Sequence, residues 1–252
     1  MALLSEYKES HFIKLFLMGD AGTGKTVAAC SFPGPIKFYD FDGKISSAYS
    51  YLKKNNPKKL EEIDFESCVP SDGIGSAYAK MDASLEPILN EYKKTGKLSD
   101  GKFEYKTLVI DSTTIMAEDL LNWLLAFEKG IKRNTTIKSR AVPGQQDYLI
   151  FAPTFASLLH ELLPLPWNVV MTGHISVKQD DKTGEIRRGA AIPGRMSGQI
   201  GIYFNEVYRS FVSNGKYTAQ TQADLYYACR SQLQGIPSPV SLAYDELAKY
   251  LV

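Results

Sequence analysis

GDAGTGKT, at residues 19–26, has the spacing Gly-x-x-x-x-Gly-Lys-Thr. An apolar run, FIKLFLM at 12–18, precedes it, and VAACSF at 27–32 follows it. These flanking runs predict a buried strand and a helix, which is the setting in which glycines turn the backbone around a phosphate group. The N–H groups and the dipole at a helix N-terminus favour an anion at the same place. The pattern therefore predicts a phosphate-binding loop.

Two side chains of this loop have distinct expected roles. Lys25 is placed to reach the β- and γ-phosphates, where it also serves catalysis, and the Thr26 hydroxyl is placed to ligate Mg²⁺. ATP and Mg²⁺ are therefore the expected cofactors. The nucleotide is expected to contact the whole stretch, namely Gly19, Asp20, Ala21, Gly22, Thr23, Gly24, Lys25, Thr26 and Val27.

The composition limits the classes of protein to which the chain can belong. Its 252 residues suffice for one sizeable core, and 44% hydrophobic with 23% charged residues is typical of soluble domains. Lys and Arg (29) nearly balance Asp and Glu (28), so any surface that binds nucleic acid has to be local. Cys30, Cys68 and Cys229 lack metal or redox spacing and are predicted to be buried, reduced thiols.

The N-terminus and the apolar runs bear on location. The first residues, MALLSEYKESH, become charged too early for a signal peptide, and no apolar run is long enough to span a membrane. We therefore expect a cytoplasmic protein that has no membrane partner.

Apolar, β-rich runs alternate with helical stretches along most of the chain, which predicts an α/β fold with a mostly parallel sheet flanked by helices. Helices are expected near 24–31, 75–94, 115–128 and 146–163. The expected strands are FIKLFLM, PIKFYDF at 35–41, IDFESCV at 63–69, KTLVID at 106–111 and WNVVMTG at 167–173.

The C-terminal part has a different pattern. Asn214-Gly215 lies between two β-rich runs and suits the tight type I′ turn of a hairpin. DLYYACRS, which follows, is compatible with one more strand, and LAYDELAKYL with a closing helix. We expect one domain over 1–252, with an N-terminal flank at 1–11, the hairpin and strand at 207–230 and the closing helix at 242–252.

Carboxylates end two of the predicted strands. Asp111 ends KTLVID, where a carboxylate holds Mg²⁺ through water in a nucleotide site. Asp40 and Asp42 end FYDFD, and one of them is expected to orient and deprotonate an attacking water. Strand alternation places both on the same face, and Asp42 lies further toward the nucleotide, so it is the preferred base. Solvated turn carboxylates remain the alternative for all three.

VVMTGHIS places His174 just beyond another apolar strand. Because strand ends surround the ligand in such sheets, His174 is a candidate sensor of the γ-phosphate. A structural hydrogen-bonding role is the alternative.

GDAGTGKT, FYDFD, LVIDSTT and VVMTGH, in this order and spacing, resemble the motifs of the RecA-like ATPases. The likeness is greatest to small phage-encoded recombination ATPases of the single-strand annealing protein group, which are related to the RecA and RadA strand-exchange proteins. It extends from about Phe12 to Pro237. The resemblance implies a catalytic carboxylate at Asp42 and a polar sensor at His174. The larger recombinases usually have glutamate and an amide residue at these positions.

Two basic stretches are candidates for DNA contacts, and the resemblance implies that they are the two DNA-binding loops. Contacts from such residues to phosphates give sequence-independent, salt-sensitive binding. Basic loops that merely keep the protein soluble are the alternative. The candidates are Lys129, Lys132, Arg133, Lys138 and Arg140 in the first stretch, and Lys178, Lys182, Arg187, Arg188 and Arg195 in the second.

Arg230 lies on the late stretch YYACRSQLQ. The resemblance implies that a basic residue on this strand reaches the phosphates of the neighbouring subunit, where it offsets transition-state charge. A surface arginine is the alternative.

Together these features predict an ATPase that binds single-stranded DNA and acts in phage recombination or annealing. We expect DNA-stimulated hydrolysis, a homo-oligomer (a filament or a ring), the cytoplasm of an infected bacterium as location, and a single-strand-binding protein as a further partner. A ring-forming helicase-type motor or helicase loader is the first alternative. A regulatory switch that does not bind DNA, or a nucleotide kinase, is the second.

Overall fold

The computed structural model describes residues 12–128, 143–179, 184 and 186–251, and these residues contain ten strands in two sheets. Six strands of the larger sheet run parallel, in the order β8-β1-β5-β4-β2-β3, and the antiparallel β9 and β10 extend it beyond β8. The strands are β1 (Lys14–Gly19), β2 (Ile36–Asp40), β3 (Ile63–Ser67), β4 (Thr107–Asp111), β5 (Asn168–Gly173), β6 (Ile175–Gln179), β7 (Ile186–Ala190), β8 (Glu206–Ser213), β9 (Lys216–Gln220) and β10 (Val240–Ser241).

Helices cover both faces of this sheet. Successive side chains of β1 point to opposite faces of the sheet and are apolar on both. Phe16 and Met18 belong to one apolar core, and Leu15 and Leu17 belong to the other. The α/β prediction is therefore confirmed. The helices are α1 (Lys25–Cys30), α2 (Ile45–Asn55), α3 (Ser76–Thr95), α4 (Thr113–Glu128), α5 (Gln145–Leu162), α6 (Met196–Tyr203) and α7 (Tyr244–Ala248), and a 3₁₀ helix spans Pro57–Glu62.

The C-terminal hairpin forms at the predicted turn. Asn214 and Gly215 both have positive φ, 50° and 73°, as a type I′ turn requires, and β8 and β9 pair on either side. The strand expected after it is reduced to a single bridge between Val207 and Arg230. The physical reason is a local turn, because the Asp224 carboxylate accepts the N–H groups of Tyr226 and Tyr227.

Two other regions differ from expectation. The second basic stretch, expected to be a loop, contains the antiparallel pair β6–β7 followed by α6. The closing helix is only Tyr244–Ala248, shorter than 242–252, because Ala243, the residue before it, has an extended backbone and Leu242 is buried just after β10.

The three cysteines are free and buried, as predicted. Burial raises the pKa of the Cys30 and Cys68 thiols to about 12 and that of Cys229 to about 11, so all three are protonated at neutral pH. Among the described residues, no helix is both long and apolar enough to cross a membrane.

The strand order decides which residues meet. β5 and β4 lie between β1 and β2, and all four run parallel, so their carboxyl ends form one edge of the sheet. The phosphate-binding loop follows β1, and the carboxylates and His174 follow the other three. The fold therefore brings these four segments together.

Candidate active site

The loop between β1 and α1 has the backbone of a phosphate-binding loop. Gly22 and Gly24 adopt positive φ, 76° and 86°, which disfavours residues with a Cβ. A Cβ on Gly19 would overlap the Ser210 side chain on β8, so glycine is also needed there. The loop thus closes tightly between β8 and α1, which begins at Lys25.

Lys25 lies inside this loop. Its Nζ donates hydrogen bonds to the carbonyl oxygens of Gly19 (2.9 Å) and Asp20 (2.8 Å). The side chain is buried, and this burial lowers the pKa of the ammonium, although the nearby carboxylates of Asp111 and Asp42 raise it in part. The carbonyls thus hold the cation at the centre of the loop, where a phosphate would lie.

The predicted metal ligands lie side by side. The Thr26 hydroxyl donates a 2.6 Å hydrogen bond to Asp111 Oδ2, and the Thr172 hydroxyl on β5 donates to Asp111 Oδ1. Asp111 is 2% exposed, and this burial raises the pKa of its carboxyl. A buried carboxylate beside a hydroxyl is a pair of hard oxygen donors, so these residues fit Mg²⁺.

Asp42 is held by two hydrogen bonds from neighbouring strand ends. Ser112 Oγ donates to Asp42 Oδ1 at 2.6 Å, and His174 Nε2 lies 3.0 Å from Asp42 Oδ2. Burial alone raises the pKa of Asp42, but these two hydrogen bonds and the nearby charges of His174 and Lys44 outweigh it and lower the pKa to about 2. Asp42 is therefore ionised at neutral pH.

Asp40 has a different environment. Its carboxylate accepts the backbone N–H groups of Gly43 (2.8 Å), Lys44 (3.3 Å) and Ile45 (3.2 Å), at the start of α2. The shared face expected from strand alternation is not maintained, since β2 ends at Asp40 and the chain turns at once. Asp40 is occupied with this turn, and Asp42 faces the cavity.

His174 connects the site to β6. It follows β5 directly, its backbone N–H donates to Thr114 Oγ1 at 2.9 Å, and β6 begins at the next residue. The imidazole lines both the nucleotide cavity and a smaller neighbouring cavity.

A cavity of about 1490 Å³ extends from the phosphate-binding loop along α1 and α2 to the segment 239–245. It is lined by Lys25, Thr26, Asp42, Asp111 and His174, so the sequence-predicted nucleotide, metal and base residues share one cavity. Pockets that bind small molecules usually measure about 300–1,000 Å³, so this space is ample for a nucleotide.

Lys216 and Tyr217, at the start of β9, also line this cavity, although sequence analysis did not identify them. Tyr217 lies against the phosphate-binding loop. It is so close that a Cβ on Gly24 would be only 2.9 Å from Tyr217 Cδ1. Lys216 is exposed and makes no ion pair with any residue in the described part of the chain. The Asn-Gly turn predicted the tip of the hairpin from the sequence. The hairpin lies beside the phosphate-binding loop because β8 pairs with β1, which the local sequence does not show.

A family model described as an AAA domain matches residues 11–227, more than four fifths of the chain. The chain belongs to the AAA-domain family. It is thus a P-loop ATPase of AAA type, in which the nucleotide site described above is expected to hydrolyse ATP with Mg²⁺. None of the curated proteins matches the chain.

Arg230 lies outside the nucleotide cavity of this AAA domain. Its guanidinium donates through Nε and Nη2 to the carbonyl oxygen of Phe204, and its backbone pairs with Val207. Within this subunit, Arg230 is therefore a surface residue that joins the segment after the hairpin to the end of α6. A role toward a neighbouring subunit stays a prediction.

The basic residues are only partly described. The backbone of Lys178 lies in β6 and that of Arg187 in β7. Arg195 is exposed and lies just before α6. Arg188 stacks over the rings of Tyr226 and Tyr227 and donates to the Tyr227 hydroxyl at 3.1 Å. The remaining candidates lie outside the described residues: Lys129, Lys132, Arg133, Lys138, Arg140 and Lys182.

Proposed function

We propose that this AAA domain is an ATP-dependent ATPase that binds single-stranded DNA, of the phage recombination or annealing type, and that DNA stimulates its hydrolysis. The observation that carries the proposal is the contact between His174 and Asp42, 3.0 Å apart. The residue after His174 begins the β6–β7 hairpin, which carries Lys178, Arg187 and Arg188. A ligand bound along this hairpin therefore acts on the residue that holds the proposed base.

The phosphate-binding loop supplies the binding step. Lys25 exchanges its two carbonyl acceptors for β- and γ-phosphate oxygens, and the N–H groups of the loop bind the same oxygens. The Thr26 hydroxyl would ligate Mg²⁺ and Asp111 would support it, and the bound ion would supply positive charge beside the phosphate oxygens. Lys216 approaches from the hairpin side and adds a second positive charge.

Asp42 supplies the base. Its ionised Oδ2 accepts a proton from the attacking water, while Ser112 keeps the carboxylate oriented through Oδ1. The hydrogen bond from His174 makes Asp42 a weaker base, because a donor to a carboxylate stabilises its ionised form. Movement of His174 with the β6–β7 hairpin removes this bond and raises the basicity of Asp42. We infer that DNA stimulates turnover in this way.

The test is ATP turnover with and without single-stranded DNA of several sequences, together with the affinity for DNA at increasing salt. Each phosphate contact on a single strand contributes about −0.7 to the slope of log affinity against log salt. Replacing Lys132 and Arg133 together by alanine, or Lys178 and Arg187 together, is therefore expected to flatten the slope by about 1.4 and to reduce the stimulation.

Lys93 and Lys94 provide the matched control, since both are exposed on α3 and belong to neither basic stretch. Replacing this pair by alanine is expected to leave the slope and the stimulation unchanged. If the unmodified protein shows no salt-sensitive affinity for single strands, the DNA proposal is wrong and only the ATPase remains.

The same preparation separates the alternatives. A helicase-type motor or a helicase loader gives directional movement along a strand against a duplex block, and an annealing protein does not. A nucleotide kinase consumes ATP only with a nucleoside acceptor, and a regulatory switch does not respond to DNA.

We also propose that the protein acts as a homo-oligomer, either a filament or a ring, in the cytoplasm of an infected bacterium, with a single-strand-binding protein as a further partner. In this assembly the Arg230 guanidinium would leave the Phe204 carbonyl and bind the phosphates of the neighbouring nucleotide. Particle images with ATP and DNA test the assembly. Mixed oligomers of Arg230→Ala with Lys25→Ala subunits test the contact, because an active site shared between subunits regains activity only where intact halves meet.

A further inference from the structure

Another cavity lies at the opposite edge of the sheet, where β1 begins. Its volume is about 490 Å³, and Lys14, the first residue of β1, forms part of its wall. Five residues of β-strand rise, about 17 Å, separate Lys14 from the phosphate-binding loop at the other end of β1. The walls are mostly apolar and are formed by Phe12, Leu159, Leu163, Pro164, Leu165 and Tyr203, among others.

The ammonium of Lys14 is the unusual feature of this cavity. The residue is 6% exposed, and its Nζ donates to the carbonyl oxygens of Leu165 (2.7 Å) and Trp167. Two of its three N–H bonds are thereby used. The Nζ also lies 5.7 Å from the centroid of the Phe12 ring, a contact that attracts the cation weakly and carries no formal negative charge. No carboxylate of the described residues pairs with it, whereas the buried Lys37 has both Asp64 and Glu66.

A buried positive charge that lacks an opposite charge is costly. Burial accordingly lowers the pKa of Lys14 to about 7, and no carboxylate in the described part of the chain counteracts this shift. An anion that entered the cavity would accept the third N–H bond and supply the missing charge. An apolar body attached to this anion would cover the surrounding walls.

We propose that this cavity is a binding site for a small organic carboxylate, whose carboxylate group pairs with Lys14 while its apolar part packs against the loop between α5 and β5. Asn205, His160 and Tyr203 are further polar groups on the wall, and among the described residues the latter two are its other titratable side chains. The site is independent of the nucleotide, so it does not rest on the function proposed above.

Hexanoate and its neutral isostere hexanamide are the probes, and isothermal titration calorimetry measures their binding to the full chain. Hexanoate is expected to bind the unmodified protein at least tenfold more tightly than hexanamide. Lys14→Met removes the charge at similar length and is expected to abolish this preference. Lys94→Met, an exposed lysine on α3, is the matched control and is expected to retain it. Equal binding of the two probes, or a preference that survives in Lys14→Met, would overturn the proposal.

The dependence on pH tests the same contact without any substitution, in case Lys14→Met does not fold. Below pH 7 the Lys14 amine is already protonated, so the affinity for hexanoate is expected to be constant. Above pH 7 binding has to take up a proton, so the affinity is expected to fall by about tenfold per pH unit. Calorimetry at pH 8.5 in two buffers of different ionisation enthalpy measures this uptake, which is expected to approach one proton per hexanoate. An affinity that does not change between pH 6 and 9 contradicts the assignment to Lys14.

Light scattering in the same titration identifies the source of the carboxylate. A mass that does not change with hexanoate is expected for a small-molecule site. A mass that falls as hexanoate binds would show that an acidic side chain of a second copy occupies the cavity, and would overturn the small-molecule assignment.

Discussion

Asp42→Asn tests the active site most directly, because it removes the proposed base and preserves the volume of the side chain. A general base contributes about 10²- to 10⁴-fold to a rate, so the kcat for ATP is expected to fall within this range. Affinity for nucleotide is expected to remain within about twofold, since the contacts to phosphate come from the loop that carries Lys25 and Thr26 and not from Asp42.

The same substitution has an effect on stability that follows from the pKa of Asp42. Burial raises this pKa, but the hydrogen bonds from His174 and Ser112 bring it from 3.8 down to about 2. Each pKa unit corresponds to about 1.4 kcal/mol. Multiplying the fall in pKa by this energy gives the contribution of Asp42 to stability. The carboxylate borders a cavity that opens to solvent, and the resulting screening reduces this contribution by about half, to about 1 kcal/mol.

The sign of the pH dependence follows from the lowered pKa. The contribution of Asp42 to stability is fully present well above pH 3.8, the unfolded-state value, and is lost as the pH falls through about 2. Asp42→Asn is therefore expected to lower the free energy of unfolding by about 1 kcal/mol at pH 7. The difference from the unmodified protein narrows below pH 4. Urea unfolding at pH 7, 4 and 3 measures it.

Asp40→Asn is the matched control. Its carboxylate accepts three backbone N–H groups, so the amide is expected to lower the free energy of unfolding by about 1–3 kcal/mol. The kcat of the folded fraction is expected to be retained. If Asp42→Asn hydrolyses ATP normally while folded Asp40→Asn does not, the base is Asp40 and the assignment made here is wrong.

Three further predictions concern the rest of the cavity. Lys25→Ala is expected to lower kcat at least 100-fold in a protein that still folds, and normal turnover of the folded variant would refute the phosphate-binding loop. Thr26→Val is expected to raise the Mg²⁺ concentration for half-maximal turnover about tenfold, whereas Thr26→Ser should not, and identical Mg²⁺ titrations would exclude the hydroxyl as a ligand. Lys216→Ala is expected to lower kcat/KM for ATP about tenfold, since a hydrogen bond to a charged group contributes about 1.5 kcal/mol or more. Lys94→Ala is the control. An effect of Lys216→Ala no larger than that of the control would show that Lys216 does not contact the nucleotide.

The sequence predicted those parts of the site that depend on the conformation of a short segment and not on contacts between distant segments. The phosphate-binding loop needs glycines at fixed spacing, and Gly22 and Gly24 have the positive φ that the motif implies. The apolar runs gave the central strands, because strands buried on both faces are apolar at nearly every position. Asn214-Gly215 gave the hairpin turn for a similarly local reason.

Long-range packing determined the rest. Asp40 and Asp42 have the same residue type at the end of the same strand, and only the turn after Asp40 separates their roles. Lys216 and Tyr217 reach the nucleotide cavity because β8 pairs with β1, a contact between segments about 190 residues apart. The pair β6–β7 escaped prediction because its strands are only five residues long and IRRGA does not alternate, although ISVK in its partner does.

The strand order also joins the metal site to the base. The ends of β4 and β5 each contribute one residue to the proposed metal site and one to the proposed base. At β4, Asp111 is the proposed metal ligand and Ser112 donates to Asp42; at β5, Thr172 donates to Asp111 and His174 contacts Asp42. The metal and base contacts therefore come from residues one or two positions apart on the same two strand ends. A displacement of the end of β5 changes the hydrogen bond to Asp111 and the one to Asp42 together. Since β6 begins immediately after His174, we propose that a ligand bound along the β6–β7 hairpin changes both hydrogen bonds through this one strand end.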